Sequence, residues 1–344
     1  MRSIKNKTVA DIGEQGLLAA IARQLGSTTL KPHTKLKTSS LKQTGIIVGV
    51  GDDAAVLAAK GDVVLTTDML VENKDFQLSW ATFADIGHKA AAANLSDLAA
   101  MGAQPQALLL SLALRANDQV RDVLSLIKQM HQVGSGFGAP VIGGDLSATD
   151  GPLVVAVTAI GSIKAKKVMH RHHARLGDII LVSGTLGAAG VALHGFQHGF
   201  NVMPALARRQ LRPLPQISLG CLLATLPGVH SCADVSDGLA GDALHLVPPN
   251  LGVELDPALL PISSLVKRNC KQWQLSAKHY ALYGGEDFEL VIAAAAHRTS
   301  NIQQHAARLG IKLTKVGSVT KQVGLTLGGT NFISPKAFDH FNNN

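Results

Sequence analysis

The alternation of hydrophobic and polar positions predicts that strands and helices follow one another along the first half of the chain. Two β-branched runs bounded by glycine and aspartate, at 45–57 (GIIVGVGDDAAVL) and 62–71 (DVVLTTDMLV), are typical of strands with polar ends. The run ALLLSLAL at 107–114 predicts a short buried strand. The apolar runs at 139–145 and 151–163 predict two further strands.

Two segments of this half show helical spacing instead. Residues 82–102 (TFADIGHKAAAANLSDLAAMG) open with Thr82 and Asp85 in the spacing of a capping box and stop at Gly102. Residues 118–138 predict a second helix, with Asn117 or Asp118 as its N-cap. The apolar stripe predicted for this helix is Val120, Leu124, Ile127 and His131.

The composition changes from apolar to basic at 164–175, and this change predicts a domain boundary. The expected domains are therefore 1–163 and 164–344, which agrees with the usual domain size for a chain of 344 residues. After the boundary, residues 177–196 predict a strand, a glycine turn and a helix, and residues 316–327 (VGSVTKQVGLTL) predict a hairpin. Strands and helices mixed in two successive units indicate α/β or α+β domains.

Composition and charge narrow the class of protein. No secretory signal is recognisable at the start, and the run at 107–114 is far too short to span a bilayer. The three cysteines form no CxxC pair, which favours reduced thiols in a cytoplasmic protein. The net charge of +8 comes from scattered basic residues, so it does not predict nucleic-acid binding. The densest basic patch, KAKKVMHRHHAR at 164–175, is either a solvated inter-domain loop or a contact for an anionic phosphate ligand.

The acidic residues are few, 24 in all, yet many fall in short motifs beside apolar strands or inside an apolar helix. A single aspartate in such a place is often a turn former or a helix cap. Asp237 is the clearest candidate for a mere cap, because a helix is predicted to begin there. The motifs are GDDAAVL (Asp52, Asp53), TTDML (Asp68), NLSDL (Asp97), GGDLS (Asp145), DVSDGLAGD (Asp234, Asp237, Asp242) and GGEDFE (Glu286, Asp287, Glu289).

Asp97 is the hardest of these to explain as a structural residue. It lies on a helix that is apolar almost all round, which predicts burial. An unpaired carboxylate would be costly there, and a metal shared with other carboxylates is the cheaper solution. The available ligands are carboxylate and hydroxyl oxygens, which favour Mg²⁺ or Mn²⁺ and a nucleoside triphosphate. No GxxxxGK[ST] loop, protein-kinase motif or HExxH zinc motif is present.

In order along the chain, the motifs resemble those of thiamine-monophosphate kinases, within the superfamily of aminoimidazole-ribonucleotide synthetases. The resemblance rests on GDDAAVL, TTDMLVE, ANLSDLAAMGAQPQALLLSLAL, GGDLS, LGDIILVSGTLGAAG, LRPLPQ, ADVSDGLAGDALHL, YGGEDFELV and the terminal AFDHF. It implies a two-domain PurM-like α/β fold, whose N-terminal mixed-sheet domain binds ATP and metal and dimerises through its sheet. The C-terminal domain would complete the active-site cleft. The implied reaction is direct in-line transfer of a phosphoryl group from ATP to thiamine monophosphate, giving thiamine diphosphate, in a homodimer that uses several Mg²⁺ ions.

The resemblance also implies roles for individual residues. Positions of the catalytic acids are occupied by Asp53, Asp97, Asp145 and Asp237. Magnesium-binding positions are occupied by Asp53, Thr66, Thr67, Asp68, Asp97, Asp145, Asp234 and Asp237. ATP-contacting positions are occupied by Gly144, Asp145, Arg171 and Ser236. Substrate-contacting positions are occupied by Asp75, Glu286 and Phe338, and the aromatic ring would pack against the flat cationic rings of thiamine. For Phe338 the alternative is a residue that anchors the C-terminal tail.

Three positions depart from the family pattern. Asp75 stands where the family usually has a histidine, and an acid there would repel an anionic acceptor unless a metal or Lys74 intervenes. Leu146, Ser147 and Ala148 replace a common Thr-Thr-Arg, and Ala337 replaces a glycine. Two other functions stay open: another ATP-dependent enzyme of the superfamily, which in two types would need a nucleophilic or C-terminal cysteine motif, and a non-catalytic dimeric nucleotide-binding homologue.

Overall fold

A computed structural model describes residues 7–25, 46–48, 56–58, 61–163 and 168–333. The chain divides into two compact units, Met1–Leu98 with Gln104–Lys164, and Ala99–Ala103 with Ala165–Asn344. The predicted site residues Asp53 and Phe338 lie outside the described residues. Among the described residues no helix is both long enough and apolar enough to cross a membrane.

The described residues of the first unit form three helices and two sheets. Its elements are α1 (Val9–Gln24), β1 (Ile46–Val48), β2 (Val56–Leu57), β3 (Asp62–Val71), α2 (Phe83–Ala100), β4 (Gln104–Leu114), α3 (Val120–Gly136), β5 (Val141–Ala148) and β6 (Val154–Ile163). Strands β1 and β2 form an antiparallel pair, and the larger sheet has the order β3-β6-β4-β5. In that sheet β6 is antiparallel to both neighbours, whereas β4 and β5 are parallel. The predicted mixed sheet is confirmed.

Helix α2 forms as its sequence predicts. The Asp85 carboxylate accepts hydrogen bonds from the amide and the hydroxyl of Thr82, at 3.1 and 2.6 Å. The Thr82 hydroxyl accepts in return from the Asp85 amide at 3.2 Å, which completes the predicted capping box. Two residues past the end of the helix, Gly102 takes a left-handed φ of +74°, which glycine adopts without steric cost.

The N-cap predicted for helix α3 is wrong, and the predicted apolar stripe is right only at Val120 and Ile127. The N-cap is Gln119, which makes no side-chain capping bond. The Asp118 carboxylate is instead bound by the amide and the guanidinium of Arg115, at 2.8 and 3.1 Å. The predicted stripe is also displaced, because Leu124 and His131 are only half-buried, and Gln24 of α1 donates to the carbonyl of Leu124 at 2.7 Å. The buried residues are Val120, Val123, Leu126, Ile127, Met130 and Gly134.

In its described residues, the second unit contains a seven-stranded sheet and helices that pack against it. Its elements are β7 (Ile179–Ser183), α4 (Ala188–Gln197), α5 (Pro204–Leu211), α6 (Ile217–Leu223), β8 (Val229–Asp234), α7 (Leu239–Leu244), β9 (Gly252–Leu255), α8 (Ser264–Gln272), α9 (Ala277–Tyr283), β10 (Leu290–Ala294), α10 (Thr299–Arg308), β11 (Leu313–Thr320), β12 (Gly324–Leu327) and β13 (Thr330–Ile333). The strand order is β13-β12-β9-β11-β7-β10-β8. A large apolar core joins the sheet to α7 and α9, and a smaller core joins α4, α5 and α8.

The hairpin predicted at 316–327 is wrong. Strands β11 and β12 do form, but they do not pair with each other, because β9 lies between them. Strand β9 is antiparallel to β11 and parallel to β12, and β12 forms its antiparallel pair with β13. A strand supplied from about 60 residues earlier in the chain cannot be read from local spacing.

Candidate active site

Thr66, Asp68 and Asp97 form a polar group at the contact of β3 with α2, which we call the N-terminal acid cluster. Thr66 and Asp68 are two residues apart on β3, so their side chains project from the same face of the strand. The Thr66 hydroxyl donates a 2.5 Å hydrogen bond to Oδ2 of Asp97. The Asp68 amide donates to Oδ1 of the buried Asn94 at 3.1 Å. Three predicted metal-binding residues are therefore brought together here.

The burial of α2 explains why Asp97 is unusual. Every residue from Asp85 to Ala100 is buried except Asp97, which is half-buried. The helix is thus buried as predicted, but the carboxylate itself is not enclosed in the core. It lies at the one open position along that stretch, where a ligand can reach it without the full desolvation penalty.

The electrostatics of the N-terminal acid cluster suit a divalent cation. Burial, followed by the negative charge of Asp97, raises the pKa of Asp68 from 3.8 to about 6. Two carboxylates held together in this way repel each other, and a cation between them would relieve the repulsion. Their oxygen donors are the type that Mg²⁺ prefers.

No group of three or more histidine, cysteine, aspartate or glutamate side chains converges as a metal site in the part of the chain that the structure describes. Magnesium is commonly held by one or two carboxylates, and waters and substrate phosphates complete its coordination. The residues present therefore fit a cation that arrives with a nucleotide.

Thr67 and Asp145 are placed differently from the N-terminal acid cluster. The side chain of Thr67 projects from the opposite face of β3, where its hydroxyl donates to the carbonyl of Val157 at 2.9 Å. Asp145 is exposed on β5, where it is the register partner of Ser111 on β4. The preceding Gly144 has to be glycine, because a Cβ atom there would lie 1.7 Å from the carbonyl oxygen of Leu110. The two strands approach too closely for a side chain at this point.

Asp75, which replaces the family histidine, is tied into a turn at the end of β3. Its carboxylate accepts from the amide of Val71 at 2.8 Å, and its carbonyl accepts from the buried ammonium of Lys89 at 3.1 Å. The turn therefore gives Asp75 a structural partner that needs no substrate. The predicted contact with substrate stays a prediction.

Asp234, Asp237 and Asp242 form a second group in the other unit, which we call the C-terminal acid cluster. Asp234 ends strand β8 and Asp242 lies in α7, and both are almost completely buried. Arg171 places a guanidinium nitrogen 3.9 Å from Oδ1 of Asp234. Burial, followed by the charges of Asp234 and Asp237, raises the pKa of Asp242 well above its usual value. Acids and one arginine thus meet where the sequence predicts metal and ATP binding.

The turn that carries Ser236 and Asp237 is held by Asp242, a residue to which the sequence motif gives no role. Oδ2 of Asp242 accepts from the amides of Ser236 and Asp237, at 3.0 and 3.1 Å. The alternative that Asp237 is a helix cap is wrong, because Gly238 is the N-cap of α7 and no side chain caps the helix. The structure leaves the Asp237 side chain available for another role.

Residues 168–175 of the basic patch, which the structure describes, are bonded to neighbouring elements and do not form a merely solvated loop. The carbonyl of His170 accepts from the amide of Cys232 on β8, at 3.2 Å. The amide of His172 donates to the carbonyl of His245 at 2.8 Å. These bonds fix the backbone of Arg171 beside Asp234. The contact of this arginine with an anionic phosphate stays a prediction.

The segment GGEDFE crosses over the turn that carries Ser236. The amide of Glu286 donates to the carbonyl of Ser236 at 2.8 Å, and the amide of Phe288 donates to that of Val235 at 2.9 Å. Glu286 and Phe288 both have left-handed backbones, with φ of +64° and +50°. Such conformations are uncommon outside glycine and cluster at functional sites. The predicted substrate residue Glu286 and the predicted ATP residue Ser236 are therefore joined directly.

Cys232 and Cys270 are unsuited to nucleophilic chemistry. Cys221, Cys232 and Cys270 are all free thiols. Burial raises the pKa of Cys232 far above its usual value, and the charge of Asp234 adds to the effect. Burial also raises the pKa of Cys270. A buried neutral thiol is inert, so neither of these two residues suits the nucleophilic role that some superfamily enzymes require.

Comparison with known proteins agrees with this geometry. Family models described as AIR synthase related protein, N-terminal domain, and AIR synthase related protein, C-terminal domain, match residues 51–163 and 175–329. The thiamine-monophosphate kinase of Bacillus subtilis (strain 168) is 32% identical over 316 residues, which are 88% of this chain and 96% of that protein. The chain belongs to the thiamine-monophosphate kinase family.

Solved structures of the thiamine-monophosphate kinase family show the same fold. The enzyme from Stenotrophomonas maltophilia K279a is 32% identical, with a TM-score of 0.78 over 92% of this chain and 97% of that one. A structure described as AaThiL complexed with AMPPCP and TMP is 28% identical, with a TM-score of 0.74 over 97% and 99% of the two chains. The predicted two-domain PurM-like fold is confirmed.

Three residues of the site carry no role in the motifs of the thiamine-monophosphate kinase family as read from the sequence. Asn94 binds the amide of Asp68, Asp242 holds the turn of Ser236, and Gln210 donates to Oε2 of Glu286 at 2.5 Å. Asn94 could have been found as a polar residue one turn before Asp97 on an otherwise apolar helix. Gln210 gives no such signal, because its partner lies 76 residues away.

Proposed function

We propose that the protein transfers a phosphoryl group from ATP to thiamine monophosphate, giving thiamine diphosphate and ADP. The observation that carries the proposal is membership of the family together with the predicted acids that the structure groups in each unit. The relatives named thiamine-monophosphate kinase match nearly the whole chain, including that of Escherichia coli (strain K12) at 35% identity over 306 residues. One related structure binds AMPPCP and TMP.

Magnesium ions are the proposed cofactors, and the chain offers oxygen ligands for them in both units. We propose Thr66, Asp68, Asp97 and Asp145 in the first unit and Asp234 and Asp237 in the second as the residues that hold them, with Asp53 as a further ligand. Thr67, whose side chain projects from the opposite face of β3, would contribute through its backbone only. Bound Mg²⁺ would neutralise the phosphate charges of donor and acceptor. Among these acids, Asp53, Asp97, Asp145 and Asp237 are proposed as the catalytic ones.

The remaining residues bind and orient the two substrates. Gly144, Asp145, Arg171 and Ser236 are proposed to contact ATP, with Arg171 supplying a positive charge for a phosphate. Glu286, Asp75 and Phe338 are proposed to contact thiamine monophosphate. No general base is needed, because a phosphate monoester oxygen is already largely ionised near pH 7. Catalysis would then consist of positioning and charge neutralisation.

We propose a homodimer that forms through the N-terminal sheet, in a domain spanning residues 1–163. Alternate residues of β3 leave an apolar row exposed: Val63, Leu65 and Met69 are 45%, 65% and 58% exposed. An exposed apolar row of this kind on an edge strand is a typical association surface. Residues 164–344 are proposed to complete the active site. The cytoplasmic location stays a prediction.

A coupled assay tests the proposed reaction. The full chain is incubated with ATP, Mg²⁺ and thiamine monophosphate, and both ADP and thiamine diphosphate are measured. We expect both products in equal amounts, and we expect EDTA to abolish them. ADP release without thiamine diphosphate would favour another enzyme of the superfamily. Binding of ATP without turnover would favour a non-catalytic homologue, and either result would overturn the proposal.

A further inference from the structure

Helix α5 contacts the GGEDFE segment through two consecutive residues. Arg209 donates to Oε1 of Glu289 at 3.1 Å and also to the carbonyl of Thr185 at 3.3 Å. Gln210 donates to Oε2 of Glu286 at 2.5 Å. One helix therefore holds two glutamates that lie three residues apart on the same segment.

Hydrogen bonds to other elements also fix Asp287 and the backbone of Glu286 in the GGEDFE segment. The buried carboxylate of Asp287 accepts from the amides of Gly187 and Ala189 at the start of α4, at 2.6 and 3.3 Å. The amide of Glu286 is bound to the carbonyl of Ser236. These contacts hold Glu286 in its left-handed conformation, which few non-glycine residues adopt without such support. The backbone of Glu286 is thus constrained, and Gln210 adds the constraint on its carboxylate.

The side-chain amide of Gln210 lowers the stability of the folded protein, so packing alone does not explain why a glutamine is present. The side chain is 3% exposed, and its Oε1 atom is buried with no hydrogen-bond partner among the described residues. A buried unsatisfied carbonyl destabilises the folded state, so an apolar side chain of similar size would be the better choice for stability. What the glutamine provides is its Nε2 donor, and that donor is directed at Glu286.

We infer that Gln210 is a positioning residue for the acceptor site, which fixes the Glu286 carboxylate for recognition of the cationic and amino-bearing rings of the acceptor. The inference rests on the proposed function, in which Glu286 contacts thiamine monophosphate. A carboxylate held by a charge-assisted hydrogen bond presents its negative charge in one orientation. Gln210 acts through Glu286 and does not touch the substrate.

The test compares Gln210→Met with wild type by steady-state kinetics on the full chain. Methionine keeps the size of the side chain and removes both the donor and the unsatisfied oxygen. We expect the KM for thiamine monophosphate to rise about tenfold, as for loss of one hydrogen bond to a charged group. The KM for ATP should change less than about twofold, and the melting temperature should be unchanged or higher.

Two further variants separate positioning from general damage. Gln303→Met is the matched control, because Gln303 donates a single hydrogen bond to the carbonyl of Leu313 at 3.0 Å in the same unit, and it should leave both KM values unchanged. In a double-mutant cycle with Glu286→Gln, we expect the double variant to be no worse than Glu286→Gln alone. Gln210→Glu keeps the shape of the side chain but places a second carboxylate against that of Glu286. The two charges repel each other, so this variant should raise the KM for thiamine monophosphate further than Gln210→Met does.

Three outcomes overturn the inference while leaving the proposed function in place. They are an unchanged acceptor KM in Gln210→Met, equal rises in the KM values of both substrates, and additive effects in the double-mutant cycle. Failure of the proposed function is a separate result, because it would appear as wild-type protein that makes no thiamine diphosphate.

Discussion

Replacing Gly285 by alanine should separate two turns of the second unit, impair catalysis and also lower the stability of the fold. A Cβ atom at Gly285 would lie 2.3 Å from the carbonyl oxygen of Ser236, whereas real Cβ atoms essentially never approach closer than 3.0 Å. The obstacle is backbone, so the two turns must move apart by at least about 0.7 Å. This movement would stretch the hydrogen bond from the Glu286 amide to Ser236.

The size of the effect follows from the residues on those turns. One turn carries the proposed ATP and metal residues Ser236 and Asp237, and the other carries the proposed substrate residue Glu286. A displacement of about 1 Å in a catalytic arrangement can cost ~100-fold in rate, so we expect kcat/KM for thiamine monophosphate to fall about 10- to 100-fold. Overpacking should destabilise the fold by about 1–3 kcal/mol.

The assay is the coupled measurement of ADP and thiamine diphosphate, together with a thermal melt. Gly136→Ala serves as the matched control, because a Cβ atom at that position meets nothing within 4 Å and its backbone is not left-handed. This control should keep wild-type activity. Wild-type kcat/KM in Gly285→Ala would refute the claim that the contact between the two turns sets the geometry of the site.

Four further changes test other parts of the structure. Asp97→Asn should lower kcat at least about 100-fold by removing a proposed metal ligand, with the melting temperature unchanged or raised; near wild-type turnover would contradict its metal role. Asp68→Asn should raise the melting temperature of the metal-free protein at pH 8 but not at pH 4. The raised pKa of Asp68, about 6, means that its charge destabilises the fold above that pH, so an equal effect at both pH values would contradict the assignment. Asp242→Ala should destabilise the protein by about 1–3 kcal/mol in chemical denaturation, because two amides lose their acceptor, whereas Asp242→Asn should cost less; equal losses would argue against those bonds. Leu65→Glu should shift the protein to monomer in sedimentation while Leu309→Glu, at an exposed site of the other unit, should not; a persistent dimer would place the interface elsewhere.

Local interactions were predictable from the sequence. The capping box of Thr82 and Asp85, the strand at 62–71 and the buried helix that carries Asp97 all depend on residues close together in the chain. The motif order was also sufficient to identify the family. Thr66, Asp68 and Asp97 could be assigned to one site because each belongs to a motif of that family.

Features that depend on distant residues were not predictable. The strand between β11 and β12 is β9, at residues 252–255, and the spacing of residues around 316–327 does not predict its position there. The sequence predicts Asn117 or Asp118 as a helix cap, but Arg115 binds the carboxylate of Asp118. Gln210 belongs to the site only because folding brings α5 to Glu286. The periodicity of hydrophobic residues reflects neighbours in the chain and does not predict contacts between distant residues.

The two adjacent contacts made by Arg209 and Gln210 have a consequence for variation in chain length. A helix turns by about 100° per residue, so inserting or deleting one residue within α5 would rotate both side chains away from their glutamates at once. Length changes in the preceding loop, at 198–203, carry no such penalty. Among relatives that keep both glutamates, we therefore expect gaps in alignments to fall before Pro204 and not inside the helix.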